Sequence, residues 1–170
     1  HGYDSQSILV TTSENLAKNV EKEISKQIIQ LPRQKYAEKS LENSSIIIVD
    51  NEIEAMEIIN EYAPEHLIIN TINPENLAEK VINAGSVFIG EWAPESVGDY
   101  ASGTNHTLPT YGFAKAYSGV NMDSFIKKIT FQKLNKEGLI NIGKYVEIMA
   151  EEEQLIAHKN SVSYRLNTVK

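Results

Sequence analysis

Ser45-Ile46-Ile47-Ile48-Val49-Asp50 is the stretch whose reading decides the fold class. Three isoleucines and a valine stand in a row, β-branched and with no polar residue at every second position. β-Branched side chains favour the pleated strand, and an unalternating apolar run reads as a strand buried on both faces. Strands of that kind belong to parallel sheets, whose two faces are covered by crossover helices.

Reading outward in both directions gives the same alternation. Upstream, Gln6 to Thr11 is a second short apolar run. Ser13 is placed to cap a helix in which Leu16, Val20, Ile24, Ile28 and Leu31 keep helical spacing. Pro32 interrupts, so Arg33 to about Asn43 is a second helix or a kinked continuation. Downstream, a helix is expected from about Glu52 to Glu61, then a strand at Leu67-Ile68-Ile69-Asn70. Pro74 opens another helix running to about Asn83, and Gly85 ends it before a fourth strand, Ser86-Val87-Phe88-Ile89-Gly90. Helices between short unalternating strands imply right-handed crossovers and a mostly parallel sheet. The expected class is therefore α/β: a Rossmann-like half with a mostly parallel sheet of about four strands, followed by a helical C-terminal arm. Residues 1–119 are expected to be the Rossmann-like domain, incomplete and the second part of a larger one. Residues 120–170 are expected to be a mainly helical dimerisation arm. Within it, a short helix is expected near Met122–Lys128 and a possible strand at Ile129–Leu134.

Composition narrows the chemistry. The 170 residues include no cysteine, which excludes disulfides, thiolate zinc sites and a cysteine nucleophile. Any metal must be held by nitrogen and oxygen ligands. The lack of cysteine also fits a reducing, cytoplasmic setting. The formal net charge of −7 argues against a nucleic-acid partner, because neutralising phosphates needs basic clusters. No run approaches the ~20 apolar residues of a membrane span, so no membrane partner is expected. No Gly-x-Gly-x-x-Gly or phosphate-loop lysine motif follows any strand. The chain begins His1-Gly2-Tyr3-Asp4 without a methionine, and reads as a piece of a longer protein.

The polar residues concentrate in Val97-Gly98-Asp99-Tyr100-Ala101-Ser102-Gly103-Thr104-Asn105-His106-Thr107-Leu108-Pro109-Thr110. This is read as a polar loop after the last strand, where α/β folds place ligands. There are four histidines, His1, His66, His106 and His158, and none lies in a His-x-x-x-His motif. A lone histidine is more often a solvated or satisfied polar residue than a ligand. The adjacent Glu65-His66 can act as a proton-transfer pair, although the residues alone favour a helix-to-strand connector with surface charges. Glu151-Glu152-Glu153, by the same reasoning, is a solvated helix face.

In their order, these pieces resemble the C-terminal part of histidinol dehydrogenase. The matching segments are His1-Gly2-Tyr3-Asp4-Ser5-Gln6, Ala63-Pro64-Glu65-His66-Leu67, Gly98 through Thr110, and Ala157-His158 with Glu153 before it. The resemblance covers nearly the whole chain, and the segment around Asp99 is its most specific part. It implies oxidation of L-histidinol through L-histidinal to L-histidine, with two NAD and one zinc, in the last steps of histidine biosynthesis. It makes His1, Asp99 and His158 zinc ligands. His66 becomes the general base, Glu65 the residue that activates water for the second oxidation, and His106 and Glu153 substrate contacts. His1, His66, Asp99 and His158 would contact substrate as well.

The family also has a glutamine three residues before its first zinc-binding histidine, and this chain begins at that histidine. NAD contacts are expected in the N-terminal part, so residues 1–170 are expected to be inactive alone. The resemblance further implies a homodimer whose C-terminal arm completes the neighbour's zinc site. Glu153 and His158 are five apart, ~140° around a continuous helix, so a helix boundary is expected near Gln154. Two readings from other classes remain open on the residues: a non-catalytic metal-binding or dimerisation module, and a small-molecule binding domain using the Asp99–His106 loop without redox chemistry.

Overall fold

A computed structural model describes residues 2–168. In chain order the elements are β1 (Ile8–Thr11), α1 (Glu14–Ile28), α2 (Gln34–Glu42), β2 (Ser45–Ile48), α3 (Glu52–Tyr62), β3 (His66–Ile69), α4 (Pro74–Ala78), β4 (Ser86–Ile89) and α5 (Glu95–Tyr100). Two 3-10 turns follow, Phe113–Lys115 and Met122–Phe125, and then α6 (Lys136–Glu152) and α7 (Ile156–Asn167). The chain is thus α/β, and it divides into two compact units, one ending at Phe125 and the other beginning at Ile126.

Local signals set the helix starts. Ser13 Oγ accepts the Leu16 amide at 3.2 Å and caps α1. Asn51 Oδ1 caps α3 by accepting the Ile53 and Glu54 amides at 2.9 and 3.1 Å. Helix α3 closes on Ala63, which takes the left-handed conformation at φ 53° and accepts the small cost this imposes on a residue with a Cβ.

The four strands form where the apolar runs lie, and each pairing is parallel. They do not make one sheet. Among the described residues β1 pairs with β2 and β3 with β4, in two separate two-stranded sheets. An apolar run marks a strand but not which strand lies beside it, and the crossover through α3 does not lay β3 on β2. Nor is β2 buried on both faces: Ser45 and Ile48 are exposed, Ile48 by 52%.

Helix α4 is five residues long rather than ten, and Asn60 supplies the reason. Its Oδ1 accepts the amides of Ile82 and Asn83 at 2.8 and 3.2 Å, and its Nδ2 donates to the Lys80 carbonyl at 3.1 Å. The Asn83 side chain returns a bond to the Asn60 carbonyl at 2.8 Å. Backbone groups that would continue α4 are bonded to α3 instead. The main core of this unit lies alongside: Met56 of α3, Leu67 and Ile69 of β3 and Leu77 of α4, flanked by Ile59, Val81 and Val87.

In the second unit no strand forms at Ile129–Leu134 among the described residues, and Phe131 is 92% exposed. A strand needs a ladder partner for its amides and carbonyls, and none lies beside this segment. Asn135 caps α6 by accepting the Gly138 amide at 2.7 Å. Helices α6 and α7 pack on each other, tied by a Ser163–Glu147 hydrogen bond and a Lys159–Glu151 ion pair at 2.7 Å. Between them Gln154 adopts φ 60°, so Glu153 and His158 stand on opposite sides of a helix break.

Candidate functional site

The site is built where β3 begins. His66 is the first residue of β3 and lies in register with Ser86 of β4. The approach of the two strands is close: Gly85 donates to the Pro64 carbonyl and Ser86 to the Glu65 carbonyl, both at 2.9 Å. A Cβ on residue 85 would sit 2.5 Å from the Glu65 carbonyl oxygen, so only glycine fits. Beneath the imidazole, the Phe88 ring of β4 is stacked with centroids 5.9 Å apart and planes 28° from parallel.

Helix α5 closes the other side. Pro94 precedes its first residue, and Glu95 and Asp99, four apart, share one face. His66 Nε2 lies 3.6 Å from Glu95 Oε1 and 3.8 Å from Asp99 Oδ1. That nitrogen is fully buried and has no hydrogen-bond partner within bonding distance. One ligand atom from each of the three residues falls within 4.8 Å of the others. Burial pushes the Glu95 carboxyl above the ordinary carboxylate range; a hydrogen bond with Asp99 and repulsion from Asp99 and Glu65 add to this, and His66 opposes it. Two carboxylates this close hold a proton between them more readily than either would alone.

Val97–Tyr100, expected in a polar loop, instead form the last turn of α5. The loop proper follows, anchored by Thr104 Oγ1 donating to the Gly98 carbonyl at 3.0 Å. Of the expected site residues, the structure gathers His66 and Asp99, with half-buried Glu65 near enough to repel the Glu95 charge. His106 is exposed on the loop and outside this cluster. Glu153 and His158 are exposed residues of the second unit. His1 lies outside the described residues. Glu95 joins His66 and Asp99 without being among the residues expected from the sequence. The available signal was indirect: Pro94 as a helix-starting residue, and the i,i+4 relation to Asp99 that a helix there would create.

Imidazole nitrogen and carboxylate oxygen suit a borderline divalent cation such as zinc, and the same groups can move a proton. At the start of a strand in an α/β unit, an imidazole whose Nε2 faces two neighbouring carboxylates offers the donor set of an acid–base or metal-binding site.

The histidinol dehydrogenase family pattern matches residues 1–166, and the chain belongs to that family. A histidinol dehydrogenase of Bacteroides thetaiotaomicron is 59% identical over 170 residues, covering 100% of this chain and 40% of that protein. The chloroplastic histidinol dehydrogenase of Arabidopsis thaliana is 54% identical, covering 99% of this chain and 36% of that protein. The crystal structure of histidinol dehydrogenase from Elizabethkingia anophelis superimposes with a TM-score of 0.88 at 53% identity, over 99% of this chain and 39% of that one. The chain thus spans about 40% of the length of such full-length bacterial relatives.

Proposed function

We propose that this chain is a segment of a zinc- and NAD-dependent histidinol dehydrogenase, which oxidises L-histidinol through L-histidinal to L-histidine at the end of histidine biosynthesis. The observation that carries the reading is the His66 imidazole, held by Phe88 and flanked by the carboxylates of Glu95 and Asp99. His66 takes the alcohol proton in the first oxidation and serves again as acid–base group in the second. Glu65, the neighbouring residue, activates the water that hydrates the aldehyde. Asp99 supplies a carboxylate to the metal, with His1 and His158 as its imidazole ligands, while His106 and Glu153 hold substrate. Zinc, when bound, orients the substrate imidazole and amine, and NAD accepts the hydride.

The Rossmann-like reading of residues 1–119 belongs to the same proposal, as does a cytoplasmic homodimer in which the arm of one subunit completes the neighbour's site. Exposed apolar side chains on α6 and α7 support the dimer: Ile140, Tyr145, Ile148, Met149 and Tyr164 give the arm a face to cover. Among the described residues no helix is long and apolar enough to cross a membrane. Residues 1–170 alone are expected to produce no NADH.

The test uses a full-length chain: the Bacteroides thetaiotaomicron relative with residues 1–170 replacing the segment they match. Zinc-dependent NADH formation from L-histidinol is expected. His66→Asn should impair both oxidations, and Glu65→Gln the oxidation of L-histidinal most, because only that step consumes water. Acid–base groups contribute about 10²–10⁴-fold, which sets the scale of each loss. Equal small losses on both substrates would remove the assignment.

A further inference from the structure

We propose that Glu95 is a positioning residue for His66: its carboxyl group accepts the Nε2–H of the ring and so leaves the other ring nitrogen as the base. The inference rests on the reading of His66 as the proton acceptor, and goes beyond it by assigning Glu95 a task.

A neutral imidazole carries one N–H and one lone pair, and the hydrogen bond made by one nitrogen decides which nitrogen keeps the lone pair. Nε2 of His66 is fully buried, whereas the side chain as a whole is 22% exposed. The buried nitrogen cannot meet a substrate hydroxyl. It faces only acceptors, Glu95 Oε1 at 3.6 Å and Asp99 Oδ1 at 3.8 Å, and an acceptor environment calls for the N–H on that side. Hydrogen bonds of this type run to about 3.2 Å, so either contact needs to close by only a few tenths of an ångström. The two carboxylates are not equivalent. Asp99 is the metal ligand of the proposed function, and a carboxylate bound to a cation is the poorer hydrogen-bond acceptor. Glu95, nearer to Nε2 and one helical turn away on the same face, then takes the N–H. Stacked Phe88 fixes the plane of the ring, so the acceptor on its edge sets the remaining degree of freedom, the tautomer.

The alternative is that Glu95 only stabilises the first turn of α5, where an acidic residue favours the helix dipole. Two substitutions of nearly equal length and similar helix propensity separate the two roles. Glu95→Gln keeps a carbonyl oxygen to accept from His66 and an amide to donate to Asp99. Glu95→Met keeps neither. In the zinc-loaded full-length chimera described above, Glu95→Met should lower kcat for L-histidinol about 10–100-fold, the usual cost of losing a partner that orients a functional side chain. KM and zinc content should change little. Glu95→Gln should restore most of the loss. With L-histidinol deuterated at its carbinol carbon, Glu95→Met should also show the larger isotope effect on kcat, because a misaligned base slows the hydride-transfer step itself.

Unchanged kcat in Glu95→Met would overturn the inference. So would equal losses in the Met and Gln variants, or a Met variant that loses zinc or fails to fold while Gln does not, since each makes the side chain structural. His66→Asn is measured in parallel. If it keeps normal turnover, the functional reading falls; if it abolishes turnover while Glu95→Met does not, only the assignment of Glu95 falls.

Discussion

Gly98→Ala should uncouple stability from activity. Gly98 is buried in α5 between Glu95 and Asp99. A methyl group there would lie 2.5 Å from Phe88 Cε1, 2.9 Å from Phe88 Cζ and 3.0 Å from Thr104 Oγ1. Carbon–carbon contacts are comfortable at about 3.5–4.0 Å, so ring and helix must part by about 1 Å. Overfilling a packed contact costs about 1–3 kcal/mol, and replacing glycine inside a helix returns roughly 0.5–1 kcal/mol. The net loss is therefore at most about 2.5 kcal/mol, which a chain of the relatives' length tolerates. The displacement falls on the site, however. Phe88 supports His66, and α5 carries both carboxylates, so the imidazole and its neighbours move apart. A misplacement of about 1 Å costs on the order of 10²-fold in rate. Urea unfolding should register the modest stability change, and steady-state NADH formation by the zinc-loaded full-length chimera should register the hundredfold loss. Adding Phe88→Leu, which withdraws the ring, should recover part of the unfolding free energy because the two positions are in contact. Normal turnover in Gly98→Ala would refute the claim that this contact sets the site's geometry.

Two further outcomes follow from contacts away from the imidazole. Asn60→Ala removes three side-chain hydrogen bonds to the segment after α4, at about 0.5–1.5 kcal/mol each. It should lower the urea midpoint and speed hydrogen exchange at the Ile82 and Asn83 amides, and unaltered exchange there would contradict the clasp. Tyr62 and Tyr111 should titrate later than an ordinary phenol, Tyr62 because its ring is partly desolvated although the residue is exposed, and Tyr111 because its hydroxyl donates to Asp4 at 3.1 Å. A raised folded-state value means that the neutral phenol is favoured by folding. That stabilisation is complete below about pH 10 and is lost as pH rises through the folded value. Ultraviolet titration of Tyr62→Phe and Tyr111→Phe should each delete one late phenolate, and removal of an early one instead would show the assignment to be wrong.

How far the sequence alone reached depended on the range of the interaction. Capping side chains such as Ser13 and Asn135 bond within three residues, and the helices they start follow from local chemistry. The short α4 did not, because Asn60 intercepts it from more than twenty positions upstream, where no periodicity records the bond. Strand pairing failed for the same reason: Ile46–Val49 reads as a strand whatever lies beside it. At the site, His66 and Asp99 were legible through the family resemblance. Glu95 was not, since its place beside the imidazole exists only once α5 has formed and turned its face toward β3.

The parallel pair that carries His66 also bears on how the chain folds. The strands β3 and β4 are joined by one short crossover, and α5 follows directly. Loop-closure entropy grows with the logarithm of the separation, so this pair closes more cheaply than β1 and β2, which must wait for two intervening helices. The imidazole and its supporting Phe88 ring therefore meet at a shorter sequence separation than the β1–β2 pair, and shorter separations speed folding. Nascent chain that has emerged only through Tyr100 already contains His66, Phe88, Glu95 and Asp99.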